Sequence, residues 1–230
     1  MAPRQDVLPL GHPVRRDGWQ SGSCRRSGSP CCDGATVRDV TAVLEPARGG
    51  RLRYRWDVDS FARAWEAGAF DGHRVELVDG EVWSVGIGDW HGLVPPLLVL
   101  ALQRQGRLRQ SSLPSDDSLP DPDLWVGRHD ARPRRMVSER ISSWDADDVL
   151  LVVEVGDETL AADLSTKAAL YARSGYARYW VVSRRGVHEH TSPSPEGYRQ
   201  VRLHVRGERV PLPDGTEVAV DDLLPDEDEA

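Results

Sequence analysis

The sequence predicts a mixed α/β fold, and three features of the chain support this prediction. An almost unbroken apolar run over 149–155 is typical of a strand buried on both faces of a sheet. Segment 160–174 carries apolar residues at the spacing of one helical face. A second apolar run over 179–182 follows directly. The order strand, helix, strand indicates a central sheet flanked by helices.

The first elements of the predicted domain carry local signals. Asp57 or Asp59 is expected to cap a short helix over the residues that follow, because an aspartate accepts a hydrogen bond from a free N–H of the first turn. Further on, Asp79-Gly80 separates two short apolar runs, 75–78 and 81–83. This dipeptide between two such runs is a strong signal of a β-hairpin.

The remaining elements are assigned from apolar patterning. In chain order they are a helix over 91–105 that we expect Pro95 and Pro96 to interrupt, a short strand over 124–126, and a C-terminal β-meander over 186–190, 198–205 and 217–220. The helix over 160–174 has one apolar stripe, formed by Leu160, Leu164, Ala168 and Tyr171.

The two ends of the chain differ in composition from its middle. Residues 1–50 are rich in Gly, Pro, Ser and Arg and lack a sustained apolar period, which predicts a disordered N-terminal extension. We expect translation to start near Val40, within that extension. Residues 51–224 form the predicted domain, and residues 225–230 form an acidic tail.

The sequence predicts a cytoplasmic protein without membrane association. Its longest apolar segment, Leu93–Leu102, is shorter than the roughly 20 residues that a membrane span needs, and no apolar signal region occurs near the N-terminus. Cys24, Cys31 and Cys32 are an odd number with no common zinc spacing, so we expect them to belong to the unstructured extension.

The charge balance limits the classes of function. The chain has 29 basic and 37 acidic residues, a net charge of −8. This balance argues against a protein that holds duplex nucleic acid by charge alone, but it allows an enzyme that reaches nucleic acid through a metal ion. Among the 29 basic residues, Lys167 alone is lysine. Arginine can replace lysine as a surface charge but not as a compact ammonium.

Acidic residues interrupt two apolar strands, and each has an ordinary explanation as well as a functional one. Glu154 lies inside the run 149–155, where a lone carboxylate is costly unless it is paired or bound to a metal. It could instead be a strand-end residue paired with an arginine. Asp123 could simply cap a turn after Pro122, and an acid four residues before Lys167 could form an ordinary helical ion pair with it.

Taken together, these residues indicate a particular chemistry. An acid before one strand, an acid on a central strand and a lysine on the next helix are what a magnesium-dependent phosphodiester hydrolase requires. The two carboxylates hold a hard cation, and the ammonium orients water or stabilises phosphoryl charge. No Ser-nucleophile elbow, P-loop or dinucleotide fingerprint competes with this interpretation.

Three segments match the motifs of one family. They are VELVDGEV (75–82), like Y-E-L-I-D-G-E; PDLWV (122–126), like P-D-V-x-V; and VVEV (152–155) followed by Asp163, Lys167, Tyr171 and GYARYWVV (175–182), like V-x-E-V…D…K…Y…G-V-x-E-Y-W-L-V. This set resembles the Uma2 family, also called DUF820, over roughly residues 55–224. The last block is the most specific.

The resemblance implies a fold and a set of site residues. The implied fold is that of the restriction-endonuclease-like PD-(D/E)xK superfamily, a mixed central sheet flanked by helices. By position, the resemblance implies Asp123, Glu154 and the carbonyl of Val155 as ligands of Mg²⁺ or Mn²⁺. It also implies Lys167 as the catalytic lysine and Glu76 as a further catalytic acid near the metal.

The chain departs from the family's pattern close to the implied site. Residues 156–159 replace the usual L-S-P-S-T continuation and add two acids, Asp157 and Glu158, while Val75 stands where the family has tyrosine. His91 falls where the family often has a histidine, although a surface or capping histidine fits this position equally well.

Two functions are carried forward. The first is a magnesium-dependent endonuclease in which Glu76, Asp123, Glu154 and Lys167 are catalytic, with DNA favoured over RNA as the substrate. The second is a catalytically silent module that binds nucleic acid or a protein partner on the same scaffold. A homodimer is compatible with either, because nucleases of this fold often dimerise to cut two strands.

Overall fold

A computed structural model describes most of the chain. The described residues are 43–46, 52–84, 86 and 88–226, all within the unit that runs from Asp39 to Ala230. The three cysteines, the proposed start near Val40 and nearly all of the predicted disordered extension lie outside them. Within that extension the described part contains one strand, Val43–Pro46. Among the described residues, no helix is long and apolar enough to cross a membrane.

The described chain contains strands, short helices and helical turns. The strands are β1 (Val43–Pro46), β2 (Leu52–Arg55), β3 (Val75–Val78), β4 (Glu81–Ser84), β5 (Arg107–Arg109), β6 (Leu124–Gly127), β7 (Arg135–Met136), β8 (Ser142–Ser143), β9 (Val149–Val155), β10 (Arg178–Ser183), β11 (Gly186–Ser194), β12 (Gly197–His204), β13 (Arg209–Pro211) and β14 (Glu217–Ala219). The helices are α1 (Val58–Glu66), α2 (Trp90–Leu102), α3 (Leu160–Ala162) and α4 (Ala168–Arg173), with a π-helical turn over Asp163–Lys167 and 3-10 turns over Ala146–Asp148 and Val220–Leu223.

The central sheet is mixed and has six strands in the order β12-β11-β10-β9-β6-β5. The two most apolar strands, β9 and β10, pair in parallel through the helical segment that connects them, while β9 pairs antiparallel with β6. Strands β10, β11 and β12 form an antiparallel meander, in which β11 and β12 match the first two segments of the predicted C-terminal meander. The third predicted meander segment, β14, pairs with β13 in a separate two-stranded sheet.

Helices cover both faces of this sheet. On one face α2 inserts Val94, Leu98 and Leu102 into an apolar cluster with alternate residues of β6, β9 and β10. On the other face α4 packs Ala168 and Tyr171 against the remaining residues of the same strands. Because side chains alternate along a strand, every residue of β9 faces one of these two helical layers. Glu154 therefore lies inside the protein rather than at an exposed strand end.

The predicted hairpin forms as β3 and β4. At its turn Asp79 and Gly80 have φ angles of 50° and 73°, which is the conformation of a type I′ turn and explains the Asp-Gly pair. The predicted cap of α1 is also confirmed, because the N–H of Ser60 donates to Asp57 at 2.7 Å. The hairpin and α1 share a third apolar cluster that contains Phe61 and Leu77.

The expectation that Pro95 and Pro96 interrupt the helix over 91–105 is wrong. Helix α2 begins at Trp90 and continues through both prolines to Leu102. A proline has no backbone N–H, so the carbonyl four residues earlier loses its helical hydrogen bond. In a helix interior this loss costs stability. The buried face of α2 compensates by packing against the sheet.

Candidate active site

The two acids predicted from the strand pattern lie on neighbouring strands. Asp123 directly precedes β6, and Glu154 is the penultimate residue of β9. The register of the two strands pairs Leu124 with Val153, so the chain positions of Asp123 and Glu154 come next to each other at one end of the ladder. A carboxylate oxygen of Asp123, Oδ2, accepts a hydrogen bond from the N–H of Val155 at 2.8 Å.

Lys167 joins these acids from the helical layer. Its Nζ lies 3.0 Å from Oε1 of Glu154 and 3.0 Å from Oε1 of Glu76, and 3.8 Å from Oδ1 of Asp163. The lysine side chain is only 6% exposed. The pair with Asp163 is thus not an ordinary surface ion pair between residues four apart. The ammonium instead lies among three buried carboxylates.

The π-helical turn over Asp163–Lys167 presents both of its end residues to the interior. Turns of this kind are rare and occur frequently at functional sites. Asp163 accepts a hydrogen bond from the Thr159 hydroxyl at 2.7 Å through Oδ2, while its Oδ1 is buried and has no hydrogen-bond donor among the described residues. The turn therefore adds Asp163, for which an ordinary ion pair with Lys167 was one interpretation, to the three acids predicted to be catalytic.

Glu76 reaches the cluster from the hairpin. It is buried on β3, where Oε1 faces Lys167, and its Oε2 accepts a hydrogen bond from the N–H of Asp121 at 3.3 Å. The hairpin, the loop before β6 and the helix after β9 therefore meet at one point. All four residues predicted to be catalytic are brought together, although they come from distant parts of the chain.

Glu154 is the most strongly perturbed carboxyl group of the cluster. Burial raises its pKa to about 8, although the ammonium of Lys167 acts in the opposite direction, and the neighbouring acids Asp123 and Asp163 raise it further. Tyr171 donates a hydrogen bond from its hydroxyl to Glu154 Oε1 at 2.8 Å. Burial raises the pKa of Tyr171 well above its ordinary value, so this hydroxyl stays protonated and remains a donor.

The other charged groups of the cluster show the same excess of acid. Burial raises the pKa of Asp163, and Lys167 offsets this only in part. Burial alone would lower the pKa of Lys167, but Glu154, Glu76 and Asp163 outweigh it and raise the pKa above its ordinary value. The lysine is therefore a permanent cation, while the carboxylates around it outnumber it.

Asp123 forms the solvent-facing side of the cluster. His91, in the first turn of α2, places Nε2 3.6 Å from Asp123 Oδ2, and Arg74 lies 3.9 Å from its Oδ1. These three side chains line a cavity of about 380 Å³ together with Gln110 and Asp121. The His91 side chain is 9% exposed, which makes a surface histidine the poorer description.

Several site residues had no clear signal in the sequence. Arg74 directly precedes β3 and Asp121 lies in the irregular segment between β5 and β6, and neither belongs to a periodic pattern. Tyr171 was expected on the apolar stripe, but its hydroxyl also contacts Glu154. Asp157, expected beside the metal, instead pairs with Arg184 at 3.3 Å.

The donor atoms of the cluster suit a hard cation, although they do not converge as a metal site. Carboxylate oxygens are the ligands that Mg²⁺ and Mn²⁺ prefer. Within the described part of the chain, however, no three such residues are arranged so as to hold a metal ion. Oε1 of Glu154 is engaged by Lys167 and Tyr171, and Oδ2 of Asp123 is engaged by Val155.

Comparison with known proteins identifies the family. Residues 58–224 match the Uma2 family, which is described as "Putative restriction endonuclease". The chain belongs to the Uma2 family. The predicted resemblance is thereby confirmed over nearly the whole of the predicted domain. No curated protein matches this Uma2 chain.

A solved structure supports the fold. The Uma2 chain is similar to the crystal structure of "a putative nuclease belonging to DUF820 from Anabaena variabilis ATCC 29413", determined at 1.96 Å. The TM-score is 0.56, with 14% sequence identity, over 73% of this chain and 97% of that one. The predicted restriction-endonuclease-like fold, a mixed central sheet flanked by helices, is therefore confirmed. The family suggests nuclease activity on nucleic acid.

Proposed function

We propose that this protein is a divalent-metal-dependent endonuclease that hydrolyses phosphodiester bonds, with Mg²⁺ or Mn²⁺ as the cofactor. The observation that carries the proposal is the position of the Lys167 ammonium, 3.0 Å from both Glu76 and Glu154 in a buried cluster. Asp123 borders this cluster on the side of the cavity. A purely structural ion pair needs one acid for one lysine, whereas three buried carboxylates, those of Glu76, Glu154 and Asp163, surround this one.

The chemistry of the donors supports a cation at Asp123 and Glu154. Among the described residues, both polar contacts of Glu154 use Oε1, which leaves Oε2 for another partner, and Oδ1 of Asp123 has Arg74 alone, at 3.9 Å. We assign these two oxygens and the carbonyl of Val155 as the ligands. The raised pKa of Glu154 supports this assignment, because a cation would replace the proton that the group otherwise retains.

When bound, a divalent cation lowers the pKa of water and neutralises charge on a phosphoryl oxygen. The protein's own side chains supply a positive charge and a proton acceptor. Lys167, held by Glu76 and Glu154, places a fixed positive charge beside the position of the scissile phosphate. Glu76, fixed by the N–H of Asp121, supports the metal or accepts a proton.

The remaining details of the function are proposals of the same kind. We propose that the substrate is nucleic acid, with DNA favoured over RNA, and that the protein is located in the cytoplasm. A homodimer is supported by the exposed apolar side chains of α2, among which Leu100 is 66% exposed and Leu93 and Val99 are also exposed. Light scattering of the purified protein measures its mass in solution and tests the dimer.

The test of the activity is cleavage of labelled single- and double-stranded DNA and RNA with and without Mg²⁺ or Mn²⁺. Wild type is compared with Glu154→Gln, which keeps the size of the side chain but removes its charge. We expect metal-dependent cleavage that the variant lacks. Arg199→Gln, at an exposed position on β12, is the matched control and should cleave like wild type. Equal cleavage by Glu154→Gln and wild type would reject the proposed site.

One observation favours the silent module as a second candidate. Lys167, Glu154 and Tyr171 already satisfy one another, so the cluster could be a closed structural network. Thermal unfolding with added Mg²⁺ or Mn²⁺ separates the two candidates, since a cation that binds only the folded state raises the melting temperature. An increase in wild type that Glu154→Gln lacks supports the enzyme, and no increase in wild type supports the silent module.

A further inference from the structure

A second cavity adjoins the proposed active site and is lined by an arginine that has no acidic partner in the described part of the chain. It has a volume of about 350 Å³, within the range of small-ligand pockets. We name it the arginine pocket, and the lining residues used below are Trp65, Arg109, Ser111, Asp121, Arg140 and Trp144. Of these, Asp121 also lines the cavity beside Asp123.

Arg109 is the central cation of the pocket. Its guanidinium lies over the ring of Trp144 at 4.2 Å and near that of Trp125 at 5.2 Å. The described residues provide Arg109 with no carboxylate partner, and its Nε is buried without a hydrogen bond. A partly buried donor of this kind is costly unless a partner satisfies it. An anionic group of a ligand in the pocket would pair with the charge of the Arg109 guanidinium, which has no acidic partner among the described residues.

The rest of the lining is suited to a nucleotide. Arg140 is exposed and has no ion pair with a described residue, so it adds a second free positive charge. The ring of Trp65 is 38% exposed and offers a face for stacking. The hydroxyl of Ser111 adds a polar group between these charges and the apolar wall. The arginines are therefore suited to the phosphate of a nucleotide, Ser111 to its sugar and Trp65 to its base.

The position of the pocket links it to the proposed chemistry. The N–H of Asp121 donates to Glu76, and the Asp121 carboxylate lies 3.6 Å from Arg74, which also faces Asp123. Asp121 is thus the shared wall between the arginine pocket and the cavity of the proposed site. A ligand in the arginine pocket would therefore lie next to the cavity that Asp123 lines.

We propose that the arginine pocket binds one unpaired nucleotide of a single-stranded nucleic acid, with its phosphate on Arg109 and Arg140 and its base against Trp65. A base inside a duplex is paired and covered on both faces, so it cannot enter a concave pocket. The net charge of −8 also disfavours binding of a rigid duplex by charge alone. The proposal rests on the endonuclease function for its biological role, but binding can be measured separately.

Binding is tested with a short fluorescein-labelled single strand and the matching duplex, by anisotropy in metal-free buffer with the Glu154→Gln background to prevent cleavage. We expect the single strand to bind more tightly than the duplex. Arg109→Gln and Arg140→Gln should each weaken single-strand binding roughly tenfold. Arg199→Gln is the control, because this exposed arginine lies on β12, at the opposite edge of the central sheet from β5.

Folding is controlled within the same set of variants. Arg109 packs on two tryptophans, so Arg109→Gln could lower the melting temperature. Arg140 is exposed, and Arg140→Gln should melt like wild type. Loss of binding by Arg140→Gln at an unchanged melting temperature therefore supports the pocket whatever happens to the other variant.

Cleavage kinetics then separate the pocket from the proposed function. If wild type cleaves, a pocket variant should raise KM with kcat nearly unchanged, because the pocket does not contact the reacting phosphate. If wild type cleaves and both pocket variants behave like Arg199→Gln, the pocket proposal is overturned and the endonuclease proposal stands. If no substrate is cleaved but Arg140→Gln and Arg109→Gln lose single-strand binding, the endonuclease proposal fails and the pocket remains. If wild type and every variant bind the duplex and the single strand with the same affinity, the pocket proposal is overturned.

Discussion

At the scale of single residues, the position of Lys167 favours a chemical site over a structural one. A chain that otherwise uses arginine for every basic side chain retains one lysine, and that lysine is buried among acids. Its ammonium lies 3.0 Å from a carboxylate oxygen of each of two acids, so the space between these carboxylates fits a compact group. A guanidinium is larger and planar and donates in a fixed fork. The choice of lysine is therefore explained by geometry and not by charge alone.

We predict that Lys167→Arg keeps the charge but loses most of the cleavage activity, by about 100-fold or more, as expected for a misplaced catalytic group. The reason is that the longer, planar head group cannot occupy the space between Glu76 and Glu154 without moving them. The rate of metal-dependent cleavage measures this, with the melting temperature as the folding control. Cleavage at the wild-type rate by Lys167→Arg would reduce the lysine to an ion-pair partner.

The raised pKa of Glu154 predicts a pH dependence of stability in metal-free buffer. Its folded-state pKa is about 8, against an ordinary value of 4.5. As the pH rises between these values, the unfolded chain releases the proton and the folded chain retains it, so the free energy of unfolding decreases. Asp163, whose pKa is also raised by burial, acts in the same direction.

We therefore predict that Glu154→Gln removes much of this decrease. Between pH 6.5 and 8, wild type should lose about 2 kcal/mol relative to the variant, since one pKa unit corresponds to about 1.4 kcal/mol. The range starts at 6.5 because burial lowers the pKa of His190 to about 4, which affects stability only below the ordinary value of that group. Urea unfolding in EDTA at several pH values measures the difference. Parallel pH profiles for both proteins would contradict the prediction.

At the scale of secondary-structure elements, those with a local cause were predicted and those with a tertiary cause were not. The hairpin turn at Asp79-Gly80 follows from two residues that tolerate positive φ, and the cap at Asp57 follows from one side chain. The π-helical turn over Asp163–Lys167 has no such signal, because the apolar stripe around it fits an ordinary helix. Burial of Asp163 and Lys167 in the cluster accompanies this turn, and such packing is invisible in the sequence.

The same distinction applies to the site. Glu154 and Lys167 could be found because each contradicts its surroundings, one as an acid in an apolar strand and the other as a single lysine. Asp123 was selected as an acid at the start of an apolar strand, with a turn cap as the alternative, and Glu76 was added by resemblance to a family motif. The contacts of Glu76 with the Asp121 N–H and of Asp123 with Arg74 depend on the path of an irregular segment. No periodic pattern encodes that path.

A prediction at this scale concerns the hairpin that carries Glu76. Gly80 has φ of 73°, and an added Cβ would lie 3.2 Å from both the Cβ of Arg55 and the carbonyl oxygen of Trp56. Gly72 has φ of 81° but nothing within 4 Å of an added Cβ. We expect Gly72→Ala to lower the free energy of unfolding by about 1 kcal/mol, the cost of the left-handed conformation. Gly80→Ala should lower the free energy of unfolding more than this control does. Equal decreases in urea unfolding would mean that the hairpin shifts to accommodate the added Cβ.

At the scale of the whole molecule, the family match begins at residue 58, although the chain is longer by more than fifty residues before it. The composition of residues 1–39, which lacks a sustained apolar period, supports our proposal that the domain does not depend on them. We predict that deletion of residues 1–39 leaves the melting temperature and the metal response unchanged, as measured by thermal unfolding.

Deletion of residues 1–57 is the contrasting variant. It removes β1, β2 and the cap of α1, together with Trp56, which packs edge-on against Phe61 and Phe70. Its melting temperature should fall by at least about 4 °C, because loss of a cap alone costs about 1 kcal/mol and aromatic packing is lost as well. A similar fall after deletion of residues 1–39 would show that the extension contributes to the fold.

The last prediction concerns how the binding of nucleic acid depends on salt concentration in a protein with a net charge of −8. If nucleic acid is held mainly by the phosphate contacts of Arg109 and Arg140, the logarithm of the binding constant should fall with the logarithm of salt concentration with a slope of about −1.4, or about −0.7 for each contact to a single strand. A fourfold increase in salt then weakens binding by only about sevenfold. Fluorescence anisotropy across a salt series measures the slope, and Arg109→Gln should make it shallower by about 0.7. A wild-type slope steeper than about −4 would require further basic contacts. The variant that lacks residues 1–39 would then show whether the arginines of the N-terminal segment provide them.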